Sequence, residues 1–118
     1  MIRNIKKMRP LPPLGLLRSR LRYDPDTGVL VWAQGRANEI GRAAGHIATS
    51  GYRIVSIGNL AYLAHRIAWA IHHGEDPGAM EIDHINGVRS DLRIQNLRKV
   101  MPHQNSQNRS KTVRNTTG

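Results

Sequence analysis

The chain has 118 residues and a formal net charge of +10, with 39% hydrophobic residues, 4% aromatics, no Phe and no Cys. That length holds one compact domain with a small core rather than two domains, and the lack of Cys excludes disulfides and Cys-ligated zinc. No run approaches the ~18 apolar residues of a membrane span, so a soluble, intracellular, cytoplasmic protein is the expectation.

Residues 1–22 read as a basic N-terminal arm. They carry Arg3, Lys6, Lys7, Arg9, Arg18, Arg20 and Arg22 and no acid. Pro10, Pro12 and Pro13 favour extended backbone that cannot join a ladder, with room for a short helix over Leu14–Leu21. The apolar stretch Leu11–Leu17 is short, broken by prolines and followed by Arg18, which makes a poor signal peptide.

A small antiparallel β region is predicted next. Tyr23-Asp24-Pro25-Asp26-Thr27-Gly28 is a turn by composition, and Val29–Trp32 follows as a strand. Residues 33–45 are loop-like, rich in Gly and Ala. Tyr52–Ile57 alternates as a half-buried strand does, Gly58-Asn59 suits a hairpin turn, and Leu60–Leu63 is the return strand. Ala64–His73 reads as a helix with Ile67, Ala70 and Ile71 at helical spacing, ended by Gly74. Trp32 and Trp69 are read as core residues. A core this small is marginal, so a homodimer or stabilisation by a ligand is expected to support it.

Asp76-Pro77-Gly78 marks a turn before a strand Met80–Ile85, Asn86-Gly87 turns the chain again, and residues 88–96 form a polar loop anchored by Leu92 and Ile94. Leu97–Met101 is a second strand. Pro102 suits the first turn of a helix over 103–110, and 111–118 is a basic, flexible tail. The order is strand, loop, strand, helix. The last segment, 98–118, has Arg98, Lys99, Arg109, Lys111 and Arg114 and no acid, so twelve of the eighteen basic residues lie in the two flanks. Residues 23–97 hold six basic and eight acidic residues. Two basic arms on a near-neutral body suit a polyanion, because neutralising phosphates releases condensed counterions. Arg98, Lys99, Arg109, Lys111 and Arg114 are the candidate nucleic-acid contacts.

The chemistry-bearing residues cluster near the second half. Asp83 offers a hard oxygen ligand for Mg²⁺-type ions, and His84 is the side chain suited to take a proton from water near neutral pH. Neighbours on a strand point to opposite faces unless the strand bends, and a bend is expected just before Asn86-Gly87. Asn96, Asn105 and Asn108 add carbonyl ligands and amides that brace loops. A divalent ion clipped between strand and helix, beside a general base, suits phosphodiester hydrolysis.

The run EIDHINGVRSDLRIQNLRKV at 81–100, followed by MPHQNSQNR, resembles the HNH endonucleases, particularly those of phages and intron-encoded homing enzymes. HRIAW at 65–69 resembles a segment that such proteins often carry upstream. The resemblance spans roughly 23–110 and is densest from 62 to 109. It implies an α+β fold with a ββα-metal core at about 80–110 and a divalent-metal-dependent DNA endonuclease that leaves 5′-phosphate and 3′-hydroxyl ends, with Mg²⁺ or Mn²⁺ as cofactor. His84 matches the general base, Asp83 the first metal ligand, Asn96 the middle asparagine that braces the loop, and Asn105 the last metal ligand. In many relatives that last position is His, so His103 and Asn108 are alternatives to Asn105. Relatives that carry Cys pairs for structural zinc differ from this chain. Further DNA-binding modules, frequent in relatives, are not read here, so a short or weak sequence preference is expected.

The remaining histidines are read more plainly. His72 and His73 face about 100° apart on a helix and suit a surface or capping role. His65, His103 and Asn108 are the candidate accessory residues, with packing as the alternative for His65. His46 lies in a Gly-rich loop, and Asp91 suits the start of a helical turn or a salt bridge with Arg93. The rival functional readings are a non-catalytic basic nucleic-acid-binding protein and a degenerate HNH fold that keeps its metal site for stability alone.

Overall fold

The computed structural model describes residues 9–102. The protein is a small α+β fold of two helices and seven short strands among those residues, with antiparallel pairing throughout. Chain order is α1 (Leu14–Arg20), β1 (Leu21–Tyr23), β2 (Leu30–Trp32), β3 (His46–Ile47), β4 (Arg53–Ile57), β5 (Leu60–Leu63), α2 (Ala64–His73), β6 (Glu81–His84), a 3-10 turn at Ile94–Asn96, and β7 (Leu97–Val100). The strands form a β1-β2 pair, a three-stranded sheet ordered β3-β4-β5, and a β6-β7 pair. No helix among the described residues is long and apolar enough to cross a membrane.

The β4-β5 hairpin closes through Gly58 and Asn59, which both have positive φ, 59° and 68°. Two successive residues of that hand make the turn whose twist matches a two-residue hairpin. β5 then feeds α2 without a linker, so the register of the hairpin sets where the helix starts. Gly74 ends α2 in the left-handed conformation, with its N–H donating to the Ala70 carbonyl at 2.8 Å. Arg18 Nη2 on α1 donates to the Ile71 carbonyl at 2.9 Å, placing a cation on the negative end of the α2 dipole.

α2 is the shared wall of two apolar clusters. Ala64, Ile67 and Ala70 pack with Leu17, Leu21, Leu30, Val55, Ile57, Tyr62 and Leu92. Ala68 and Trp69 pack with Ile82 and Leu97 of the β6-β7 pair. A helix buried on nearly every side from Ala64 to Ala70 explains why small alanines alternate with large residues there.

The expected arm over 1–22 does not stand free among its described residues: Leu11 packs against the core and its N–H donates to Asp76 Oδ2 at 2.9 Å. Leu17 and Leu21 are 0% and 2% exposed, α1 packs on α2, and β1 pairs with β2 in the register Leu21↔Trp32. The two leucines lie four residues apart and so share one face of the short helix and its exit. Between them Arg18 stays exposed and the Arg20 guanidinium lies over the Trp32 ring at 5.5 Å. The β1-β2 turn is fastened by Asp24, whose Oδ1 accepts from the Asp26 N–H at 3.0 Å. Gly28, at φ +79°, lies so close to Leu92–Arg93 that an added Cβ would come within 2.7 Å of the Arg93 nitrogen. The N-terminal turn therefore presses directly on the loop that leads to β7.

Candidate active site

β6 delivers Asp83 and His84. Two groups hold its entrance. The buried Arg66 guanidinium on α2 donates to the Met80 carbonyl at 2.7 Å and to the Gly78 carbonyl at 2.8 Å. Gly78 itself donates to Asp76 Oδ1 at 2.8 Å. Burial lowers the Arg66 pKa against the raising influence of Asp76 and Glu81.

The bend expected at Asp83-His84 comes one residue later. The ladder runs regularly through Asp83↔Arg98 and His84↔Leu97, and burial alternates along β6. The two side chains therefore leave opposite faces of the strand. Asp83 meets Arg98, with Nη2 to Oδ2 at 2.6 Å, on a partly exposed face. His84 faces inward at 7% exposure. After His84 the chain turns, and the Gly87 N–H returns to the His84 carbonyl at 2.9 Å.

The His84 ring stands edge-on to His65, with centroids 4.5 Å apart, and tilted to Tyr52 at 5.9 Å. Tyr52 stacks on His65 at 5.4 Å. His65, which the sequence left between packing and an accessory role, is thus in direct contact with His84. His84 Nε2 is buried with no hydrogen-bond partner among the described residues. Leaving such a nitrogen unpaired costs on the order of 1–3 kcal/mol, a cost that a water or a ligand hydrogen-bonded there would remove. Burial is the largest influence on His84 and lowers its pKa below 6.5; Asp83 and Asp91 oppose it, and Arg89 adds to it. The imidazole is therefore uncharged at neutral pH, the form that accepts a proton.

Asn96, only 4% exposed, braces the loop beyond His84. Its Oδ1 accepts from the Asn86 N–H at 2.9 Å, its Nδ2 donates to the Asp91 carbonyl at 3.1 Å, and its own carbonyl accepts from the Ile85 N–H at 2.8 Å. Asn86 Nδ2 closes the ring on Asp91 Oδ2 at 2.9 Å. Asp91 is paired with Arg93 through two contacts of 2.9 and 2.6 Å, which hold its carboxyl well below the usual range. Below the loop, the Tyr23 hydroxyl donates to the Leu92 carbonyl, and burial pushes its pKa up to about 12.

Lys99 on β7 lies over Trp69 at 5.0 Å and pairs with Glu75 at 3.1 Å. Arg98 and Lys99, candidate nucleic-acid contacts, are thus each engaged with an acidic side chain in the free protein. His103, Asn105, Asn108, Arg109, Lys111 and Arg114 lie outside the described residues, as does the helix expected over 103–110. Among the described residues no group of three His, Cys, Asp or Glu is placed to hold a metal ion. His72 is exposed, His73 packs on Trp69 at 4.4 Å, and His46 is exposed.

Three contributors escaped the sequence reading. Arg66 had a signal, since it sits inside HRIAW. Tyr52 reads from sequence only as the first residue of a strand, and nothing sets Arg89 apart within the polar 88–96 loop.

The His84 shift predicts a sign for stability. Its folded pKa lies below the unfolded one, so below about 6.5 the unfolded chain binds more protons and stability falls as pH falls. The melting temperature should drop between pH ~7.5 and ~5.5, and His84→Gln should flatten that slope. An equal slope in both proteins would show that His84 is not the group responsible.

In a comparison with known families, residues 62–107 match a family described as HNH endonuclease. No curated protein and no solved structure matches the chain.

Proposed function

With residues 62–107 matching the HNH endonuclease family, we propose that the protein is a divalent-metal-dependent DNA endonuclease. The observation that carries this reading is His84: an imidazole kept uncharged by burial, with one ring nitrogen that no described group satisfies, at the end of the strand that also bears Asp83.

In this reading His84 takes a proton from the attacking water. Asn96 keeps the 85–91 loop from drifting and so holds His84 in its orientation. Asp83 is the hard oxygen ligand, and Asn105 the second protein ligand, with His103 or Asn108 as the alternatives. The fit is one of ligand chemistry alone: Asp83, on the face of β6 opposite to His84, already holds a cation, the Arg98 guanidinium, where solvent reaches, and ions such as Mg²⁺ are commonly bound by one or two protein oxygens with substrate phosphate completing the shell. A bound Mg²⁺ or Mn²⁺ would stabilise charge on the phosphate and on the 3′-oxygen leaving group. Arg98, Lys99, Arg109, Lys111 and Arg114 would neutralise flanking phosphates. The ends left are 5′-phosphate and 3′-hydroxyl, and a single copy nicks one strand.

Supercoiled plasmid incubated with the protein should become nicked in Mg²⁺ or Mn²⁺ and stay intact in EDTA. No cleavage with either ion, alongside ordinary DNA binding, would leave a non-catalytic nucleic-acid-binding protein instead.

A further inference from the structure

Arg89 is an exposed residue of the loop between β6 and β7, yet it is held at two points. Its guanidinium carbon lies 4.8 Å from the Tyr52 ring centroid, and Nη1 donates to the Ser50 carbonyl at 2.6 Å. Its Cδ also lies 3.5 Å from where a Cβ on Gly51 would be, so the stem runs against the 50–52 backbone. A free arginine carries roughly 2 kcal/mol of rotamer entropy that it loses on binding. Here much of that ordering is already done in the free protein.

Two features give the ordering a direction. The Tyr52 ring that supports Arg89 is the same ring that packs on His65 and His84. Arg89 is also one of the few charges that act on His84. The loop contacts use one of its N–H groups, and the others make no hydrogen bond among the described residues. A guanidinium presents donors in a planar fork that matches two oxygens of a phosphate.

We propose that Arg89 is the phosphate clamp of this site, taking non-bridging oxygens of the DNA phosphodiester beside His84, with Tyr52 as its positioning residue. This deepens the nuclease reading and rests on it for the identity of the reacting phosphate. Ser50 and Tyr52 come from the β3-β4 side and Arg89 from the loop after β6, so the clamp exists only when the two segments pack together.

The test uses the full chain and a DNA duplex. Binding is measured in EDTA over a range of salt, and cleavage at saturating DNA in Mg²⁺. Arg89→Ala should reduce the slope of log affinity against log salt by about one and lower the cleavage rate about 100-fold. Arg89→Lys should keep the slope, since the charge remains, but recover little of the rate, since the fork is lost. Tyr52→Leu should lose rate while keeping the slope, and Tyr52→Phe, which restores the ring under the guanidinium, should recover most of that loss. Because the slope is read without cleavage, the two readings fail separately. An Arg89→Ala protein with wild-type slope and rate overturns the clamp and leaves the nuclease standing. A wild type that never cleaves overturns the nuclease, while a reduced Arg89→Ala slope would still place Arg89 on phosphate.

Discussion

His84→Ala is expected to lower DNA cleavage by about 10²- to 10⁴-fold while leaving DNA affinity near that of wild type. The first half follows from what the ring offers. Burial keeps His84 uncharged, and one nitrogen has no partner among the described residues. The second half follows from where it points. At 7% exposure, with its ring against His65 and Tyr52, it contributes little surface for a phosphate backbone to touch. Removing a buried ring also leaves a void, and a cavity costs stability, so the melting temperature belongs beside the assay. His84→Gln, which fills more of the space, separates the two effects: it should be as inactive as the alanine variant but more stable. Cleavage retained within tenfold would mean that the base lies elsewhere, and His65, 4.5 Å away, would be the next residue to change.

Asn96→Asp is the second large effect, and it needs no catalysis to be seen. The substitution keeps the size of the side chain and the acceptor for the Asn86 N–H. It replaces the donor that serves the Asp91 carbonyl with another oxygen, at a position only 4% exposed. Two acceptors then face each other out of water, and the buried carboxylate lacks a counter-charge. A loss of about 2–4 kcal/mol is expected, which for a domain of this size is a melting shift on the order of 10 °C or more. The deficit should shrink in acid, because a protonated carboxyl at this position regains a donor. The folded pKa of that carboxyl would be raised, so the stability it contributes is present at low pH and lost as pH rises through that value. Urea midpoints of both proteins at pH ~7.5 and ~4.5 check this. A shift of under about 2 °C at neutral pH would show that the loop does not depend on Asn96.

Much of the second half of the chain was legible before the structure. The alternation of Tyr52–Ile57, the Gly58-Asn59 turn and the Gly74 stop gave the hairpin and α2 with nearly the observed bounds, 53–57, 60–63 and 64–73. These signals are local: they depend on backbone hand and on side-chain periods of two and 3.6 residues. The residue types from Asp83 to Asn96 are local in the same sense, and the function proposed above is built on them.

What the sequence could not decide were the partners. Leu17 and Leu21 sit among arginines and prolines and look like part of an arm; only α2 and β2 turn them into core. The 21–23 segment is a strand because Leu30–Trp32 lies beside it, and three residues carry no period of their own. Asp83 and His84 face opposite ways because the ladder continues through both, where the nearby Asn86-Gly87 turn leads to the expectation of a bend. Tyr52, His65, His84 and Arg89 come from separate elements, and Arg89 reaches Ser50 across 39 positions of sequence. The chain by itself determined its charge, its hairpin, its central helix and the residue types of its motif, all of which are properties of neighbours along the backbone. The tertiary structure alone decided which side chains are buried, which carboxylate meets which cation and which ring meets His84, because those depend on contacts through space that no short stretch of sequence contains.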